Sequence, residues 1–189
     1  MSSDNPSGAA NQQERLAVEE QKRWFLAGLI EGEGSLCVSI KQLKESRFGY
    51  QVQAEFFLYQ HKNRRGLLEL AQNVFQTGRI NPKPGNEDVL VYSIMRRRLI
   101  ADRVIPFFEQ YMKYSHKKYD FQLFRDIVRA IDDGRHKEPQ GLVEIVGKAY
   151  RMNMEGKQRK RPIEVVTARI LRDYTPNPHS PCGEDIVRS

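Results

Sequence analysis

The 189-residue sequence predicts a mixed α+β fold, a four-stranded antiparallel sheet with helices packed on one face, in the order α-β-β-α-β-β-α-α. Two neighbouring segments with strict period-two alternation and a second strand pair around a Pro-Gly-Asn turn predict the sheet. Stretches with apolar residues three and four apart predict the helices. Alternation in neighbouring segments reads as antiparallel pairing, one face on a core and the other toward solvent.

Residues 1–12 are small and polar and read as a disordered arm. Arg15 to Ile30 reads as a helix, with Leu16, Trp24, Leu26 and Ile30 among its apolar positions. After Gly34 the period changes: Leu36, Val38 and Ile40 alternate with Ser35, Cys37, Ser39 and Lys41. A second run puts Val52, Ala54, Phe56 and Leu58 on one face, with Gln51, Gln53, Glu55, Phe57 and Tyr59 opposite. Leu67 to Phe75 is a short amphipathic helix with Leu67, Leu70, Ala71 and Val74 inward. Strands follow from Arg79 to Lys83 and from Val89 to Ile94, around Pro84-Gly85-Asn86. Arg98 to Met112 is helical, with Leu99, Ile100, Val104, Phe107 and Phe108 inward and a kink at Pro106. His116 to Asp132 carries the stripe Phe121, Phe124, Ile127, Val128 and Ile131, and Gln140 to Asn153 closes the core. The folded domain thus spans residues 13–155. The tail, 156–189, opens with the basic residues Lys157, Arg159, Lys160 and Arg161 and turns Pro-rich after Pro176. Such a run is either a solvated segment or a phosphate contact.

The 31 basic residues exceed the 24 acidic ones, for a net charge of +7. Arg15 stands against Asp4, Glu14, Glu19 and Glu20, so residues 1–20 carry −3 and the remainder +10. A basic folded part points to a polyanionic partner, usually nucleic acid. No apolar run is long enough for a membrane span, and no secretory pattern opens the chain. Two distant cysteines, Cys37 and Cys182, offer neither a disulfide framework nor zinc spacing. An intracellular setting follows, bacterial cytoplasm or an organelle such as a chloroplast or mitochondrion.

Trp24 to Ser35 breaks two local rules. Gly28 and Gly32 stand four apart on one face of an apolar helix, each costing about 1 kcal/mol against alanine. Glu31 and Glu33 then sit at the negative end of the helix dipole, which disfavours acids. Such conflicts between local and global preference gather at functional sites.

The run Leu26-Ala27-Gly28-Leu29-Ile30-Glu31-Gly32-Glu33-Gly34 resembles the signature of the LAGLIDADG homing endonucleases, with glutamates for its two aspartates and Gly32 for its second alanine. The resemblance extends over roughly residues 15–155, through the strand-rich segment Leu36 to Gln60, the turn at Thr77-Gly78-Arg79-Ile80, and Val104 to Phe108. It is greatest to single-motif members encoded in group I introns of ribosomal RNA genes. It implies a LAGLIDADG-type half-domain working as a homodimer, whose motif helices meet through Ala27, Gly28, Glu31 and Gly32. It also implies a Mg²⁺-dependent endodeoxyribonuclease, with Mn²⁺ as a substitute. Glu33 is the implied metal ligand and the Gly32 carbonyl its helper. Gln60 and Arg64 match positions that order water around the scissile phosphate. A basic residue from the junction near residue 115 completes the site. Lys117 fits best, though this junction is longer than the family's, which leaves Lys113 and Lys118 open. Glu31 stabilises the end of the motif helix, and His61 and His116 are flanking groups.

Because one motif is present, one chain supplies half a site and a two-fold dimer supplies the whole. Two Glu33 carboxylates brought together repel at low dielectric, and a divalent cation with oxygen ligands relieves this, Mg²⁺ above all. Strands of about 30 Å, at roughly 3.3 Å per residue, cover about nine base pairs, so a dimer reads roughly 18 pairs of a near-palindrome. The base-reading set comprises Ser39, Lys41, Gln51, Gln53, Glu55, Arg79, Asn81 and Lys83, with Lys44 and Arg47 in the connecting loop. The expected function is a site-specific double-strand cut in DNA that spreads the intron. The alternative is an RNA maturase or a DNA-binding regulator on the same scaffold.

Overall fold

The computed structural model of the chain describes residues 6–152 and 161–172. Helix α1 (Pro6–Glu33) overruns its expected limits at both ends. Residues 1–5 lie outside the described residues, but 6–12, expected as a disordered arm, are helical. Proline at the first position suits a helix start. From Ala9 to Ala27 no glycine or proline interrupts, and Ala, Gln, Glu, Leu, Lys and Arg are all good helix formers. Side chains from Asn11 to Glu19 are exposed, so propensity rather than packing carries this part of α1 beyond the core. Leu16 and Trp24, expected among the helix's apolar positions, are 63% and 52% exposed.

Strands β1 (Gly34–Gln42) and β2 (Tyr50–His61) form an antiparallel hairpin, with Gly34 opposite Leu58 and Gln42 opposite Tyr50. Helix α2 (Arg65–Phe75) leads to β3 (Arg79–Lys83) and β4 (Asn86–Ile94), and the sheet order is β1-β2-β4-β3. The alternation reads correctly: Leu36, Val38, Ala54, Phe56 and Leu58 are buried on the helix side. On α2 the buried stripe is Leu68, Ala71 and Phe75, rotated by one position from the expected Leu67, Leu70 and Val74, which are half-buried.

The helix expected over 98–112 comes in two pieces. A short α3 (Arg97–Leu99) passes through a π-type turn, Ile100–Val104, into α4 (Ile105–Tyr111). Pro106 has no N–H to give, and the wide turn just before it, closed by the Ile105 N–H on the Ile100 carbonyl, absorbs the misfit. Helices α5 (Lys118–Asp132) and α6 (Pro139–Arg151) follow as expected.

The main core lies between the sheet and α1, α2, α4 and α5, around Phe56, which meets Phe75, Tyr92 and Phe108 edge-on at 5.6, 6.3 and 6.0 Å between ring centres. A smaller core joins Phe48 and Tyr50 to Leu142, Val146, Val166 and Ile170. Its last two members belong to α7 (Ile163–Arg172), inside the stretch expected to be a tail. The domain boundary at 155 is therefore corrected: the chain returns to the fold and packs on it through Arg172. Lys157, Arg159 and Lys160, and the Pro-rich stretch after Pro176, lie outside the described residues.

Candidate active site and nucleic-acid interface

The motif occupies the last two turns of α1. Leu26, Ala27 and Ile30 face the core, 0%, 5% and 0% exposed, which turns Gly28 and Gly32 outward. A Cβ placed on either would meet nothing within 4 Å. Phe25 and Trp24, both more than half exposed, flank this open strip. Gly34 differs: a Cβ there would lie 2.6 Å from the Ile30 carbonyl oxygen, so the passage from α1 into β1 requires glycine. Of the expected interface residues, Gly28 and Gly32 lie on open surface. Ala27 is 5% exposed and packs in the core of its own chain.

Glu31 points back into its own chain. Its carboxylate accepts hydrogen bonds from the Ser115 hydroxyl and from the His116 N–H, at 3.0 Å for the latter, and His116 Nδ1 stands 3.4 Å away. Burial pushes the Glu31 carboxyl up, but those hydrogen bonds and the Lys117 charge outweigh it and hold the pKa below its ordinary value. Lys117 Nζ donates to the Glu31 carbonyl at 2.5 Å, and its N–H donates to Ser115 Oγ at 2.9 Å. The α4–α5 junction is thus clamped to the end of the motif helix, and Lys117, not Lys113 or Lys118, is the lysine placed there; the other two are exposed. The Glu31 carboxylate, expected at the interface between copies, is engaged within its own chain while its side chain stays 34% exposed.

Glu33 is exposed at the very end of α1 and pairs with no group among the described residues. Gln60 lies two residues past Leu58, the register partner of Gly34, so it sits at the same end of the sheet. Its parity with Phe56 and Leu58 turns it to the helix side, and it is 7% exposed. Arg64 closes the short turn Lys62–Arg64 ahead of α2 and is exposed. In that turn His61 Nδ1 accepts from the Asn63 N–H at 3.3 Å. Among the described residues, no group of three His, Cys, Asp or Glu side chains could hold a metal.

The sheet face away from the helices carries Ser39, Lys41, Gln51 and Gln53 on the hairpin and Arg79, Asn81 and Lys83 on β3. Lys41 Nζ donates to Gln53 Oε1 at 3.1 Å. Lys83 Nζ stands 5.5 Å from the centre of the Tyr59 ring. Two expected members depart from an open face. Glu55, opposite Cys37, is 8% exposed, screened by its neighbours. Arg47 donates to the Lys137 carbonyl at 3.1 Å and lies over the Phe48 ring, while Lys44 is exposed in the loop. Ser115 escaped sequence reading; its one signal was a hydroxyl two residues before a lysine pair.

A family model described as LAGLIDADG endonuclease matches residues 26–128. DNA endonuclease I-CeuI of Chlamydomonas moewusii is 37% identical over 133 residues, covering 69% of this chain and 61% of that protein. Homing endonuclease I-ApeII of Aeropyrum pernix is 31% identical over 158 residues, covering 82% of this chain and 93% of its own length. Among solved structures, the archaeal intron-encoded homing endonuclease I-Vdi141I complexed with DNA superposes with a TM-score of 0.76 at 29% identity, over 82% of this chain and 98% of that one. The group I intron-encoded I-CeuI complexed with DNA gives 0.74 at 33% identity, over 79% and 76%. The fold, the motif at the end of α1 and these relatives together place the chain in the LAGLIDADG endonuclease family.

Proposed function

We propose that this chain is one half of a homodimeric, site-specific homing endonuclease that makes a double-strand break in a long, near-palindromic DNA target and so spreads its intron. One observation carries the reading most: the motif helix ends in an exposed Glu33, without a partner among the described residues, beside a glycine strip open to another backbone. In the free chain each glycine is a cost, so the strip makes sense where a second α1 packs on it. The Gly28 and Gly32 faces then bring two Glu33 carboxylates to one place.

The donor set fits half of a divalent-metal site: one hard carboxylate, with the Gly32 carbonyl beside it, and too few donors among the described residues of one chain. When bound there, Mg²⁺ supplies charge compensation for the carboxylates and for the phosphate under attack, and Mn²⁺ substitutes for it. The protein's own groups do the rest. Glu33 holds the site. Lys117, fixed to the helix end through the Glu31 carbonyl, places a positive charge beside the developing charge of the transition state. Gln60 and Arg64 orient water around the phosphate, and the polar sheet face reads base edges in the major groove. β2, at about 3.3 Å per residue, is roughly 40 Å long and spans about 12 base pairs.

Incubation with duplex DNA carrying the intron-free host sequence, with Mg²⁺ and with EDTA, tests this. Two new ends in Mg²⁺ and none in EDTA are expected. Binding in Mg²⁺ without any cut would overturn the nuclease reading in favour of a regulator or maturase. Sedimentation should show a dimer, and a monomer occupying a whole site would remove the two-fold arrangement.

A further inference from the structure

Strand β2 pairs with β4 only from Phe56 to His61. Beyond Phe56 the sheet narrows to the β1–β2 ribbon, whose outward residues are Ser39, Lys41, Gln51 and Gln53. A two-stranded ribbon is marginally stable in water without further support. Here the support comes from beneath and from the C-terminal side of the chain. Val166 and Ile170 of α7, 1% and 0% exposed, pack with α6 against Phe48 and Tyr50. The Arg169 guanidinium lies 5.6 Å from the centre of the Tyr50 ring, and a Cβ on Gly49 would come within 2.9 Å of Arg169 Nε. Gly49 has φ +73°, so the loop turns at the one residue that tolerates both the backbone and the close approach. Arg161 completes the strap: its Nη2 donates to Gln42 Oε1 at 3.2 Å, and its carbonyl accepts from the Tyr150 hydroxyl at 2.8 Å.

We propose that α7 is a specificity clamp: by docking under the outer half of the β1–β2 ribbon it fixes Lys41, Gln51 and Gln53 in place, and so determines how strictly the outermost base pairs of each half-site are read. This rests on the endonuclease reading above and goes beyond it, since Val166 and Ile170 pack with Phe48, Tyr50, Leu142 and Val146, none of them a motif or base-reading residue. The residues are positioning residues, and their loss should relax reading at the outer pairs while sparing the central ones.

The test uses the full-length V166A/I170A variant, with I170A read the same way should the double variant fail to fold. In hydrogen exchange, backbone amides at 39–42 and 50–53 should exchange about tenfold faster or more, and those at 56–61 should not change. Unchanged outer amides, or an equal rise along all of β2, would overturn the clamp. In a second arm, wild type and variant cut duplex libraries doped around the sequence that the wild type cuts. The variant should lose about tenfold of the discrimination at the outermost pairs and keep it at the central ones. A uniform loss, or none, would overturn the specificity role. A wild type that cuts no duplex would remove the endonuclease reading itself, while exchange would still decide whether α7 holds the ribbon.

Discussion

Near Gly34 and Leu58 the β1–β2 hairpin is half of a four-stranded sheet, backed by the aromatic cluster around Phe56 and closed by the junction bonded to Glu31. At Gln42 and Tyr50 the same two strands stand without sheet neighbours, held by a small core and an arginine strap. Glu33 and Lys117, the groups proposed for the chemistry and so needing to be held to a fraction of an ångström, lie at the broad end. The groups proposed to read the outer part of a duplex lie toward the narrow end. One hairpin therefore joins a rigid end suited to chemistry and an outer end whose local stability can vary independently.

The largest expected effect is at the rigid end. Glu33→Gln should lower cutting by about a hundredfold to a thousandfold while sparing binding, measured by cleavage and gel shift on one duplex. A Glu33→Gln protein that still cuts would remove the chemistry from this end altogether. Next comes Phe56→Ala, expected to cost about 3–5 kcal/mol in denaturant unfolding. A loss below about 1 kcal/mol would mean that the broad end is no firmer than the narrow one.

Ser115→Ala is expected to cost about 1 kcal/mol, discounted because Glu31 is partly open to solvent. It carries a pH signature. The folded-state pKa of Glu31 is lowered, so its contribution is complete above the ordinary glutamate value and is lost as pH falls through the lower folded value. Thermal melts of wild type and S115A should therefore converge toward acid pH. A constant gap across that window would show that the hydrogen bond is not the origin. The smallest effect belongs to the narrow end: Arg161→Ala should change global stability by no more than about 0.5 kcal/mol yet raise exchange near Gln42.

The strands were legible because a half-buried sheet imposes period two on neighbouring segments and a helix does not. The motif was legible because its length makes a chance match improbable. The burial of Glu55 was not legible. Alternation places it on the outer face, but screening by its neighbours depends on cross-strand register, which a single strand does not encode. The clamp on Glu31 was equally hidden, since Ser115 and Lys117 are 84 and 86 residues away along the chain. Helix α7 left a trace that basic composition masked: Ile163, Val166 and Ile170 follow helical spacing just after the Lys/Arg run. The extension of α1 to Pro6 had no amphipathic pattern to reveal it, because the side chains from Asn11 to Glu19 are exposed.

Nothing lies within 4 Å of where a Cβ would stand at Gly28 or Gly32, and this would divide any laboratory selection in two. A screen that heats the isolated chain should favour Gly28→Ala and Gly32→Ala, each substitution gaining up to about 1 kcal/mol. If the strip seats a second α1 as proposed, a screen for cut DNA should discard Gly28→Ala, whose methyl group would hold the helices apart, and keep Gly32→Ala, which restores the alanine of the family signature. On the proposed reading, the change at position 28 that most favours the free subunit is the one that most harms the assembled enzyme.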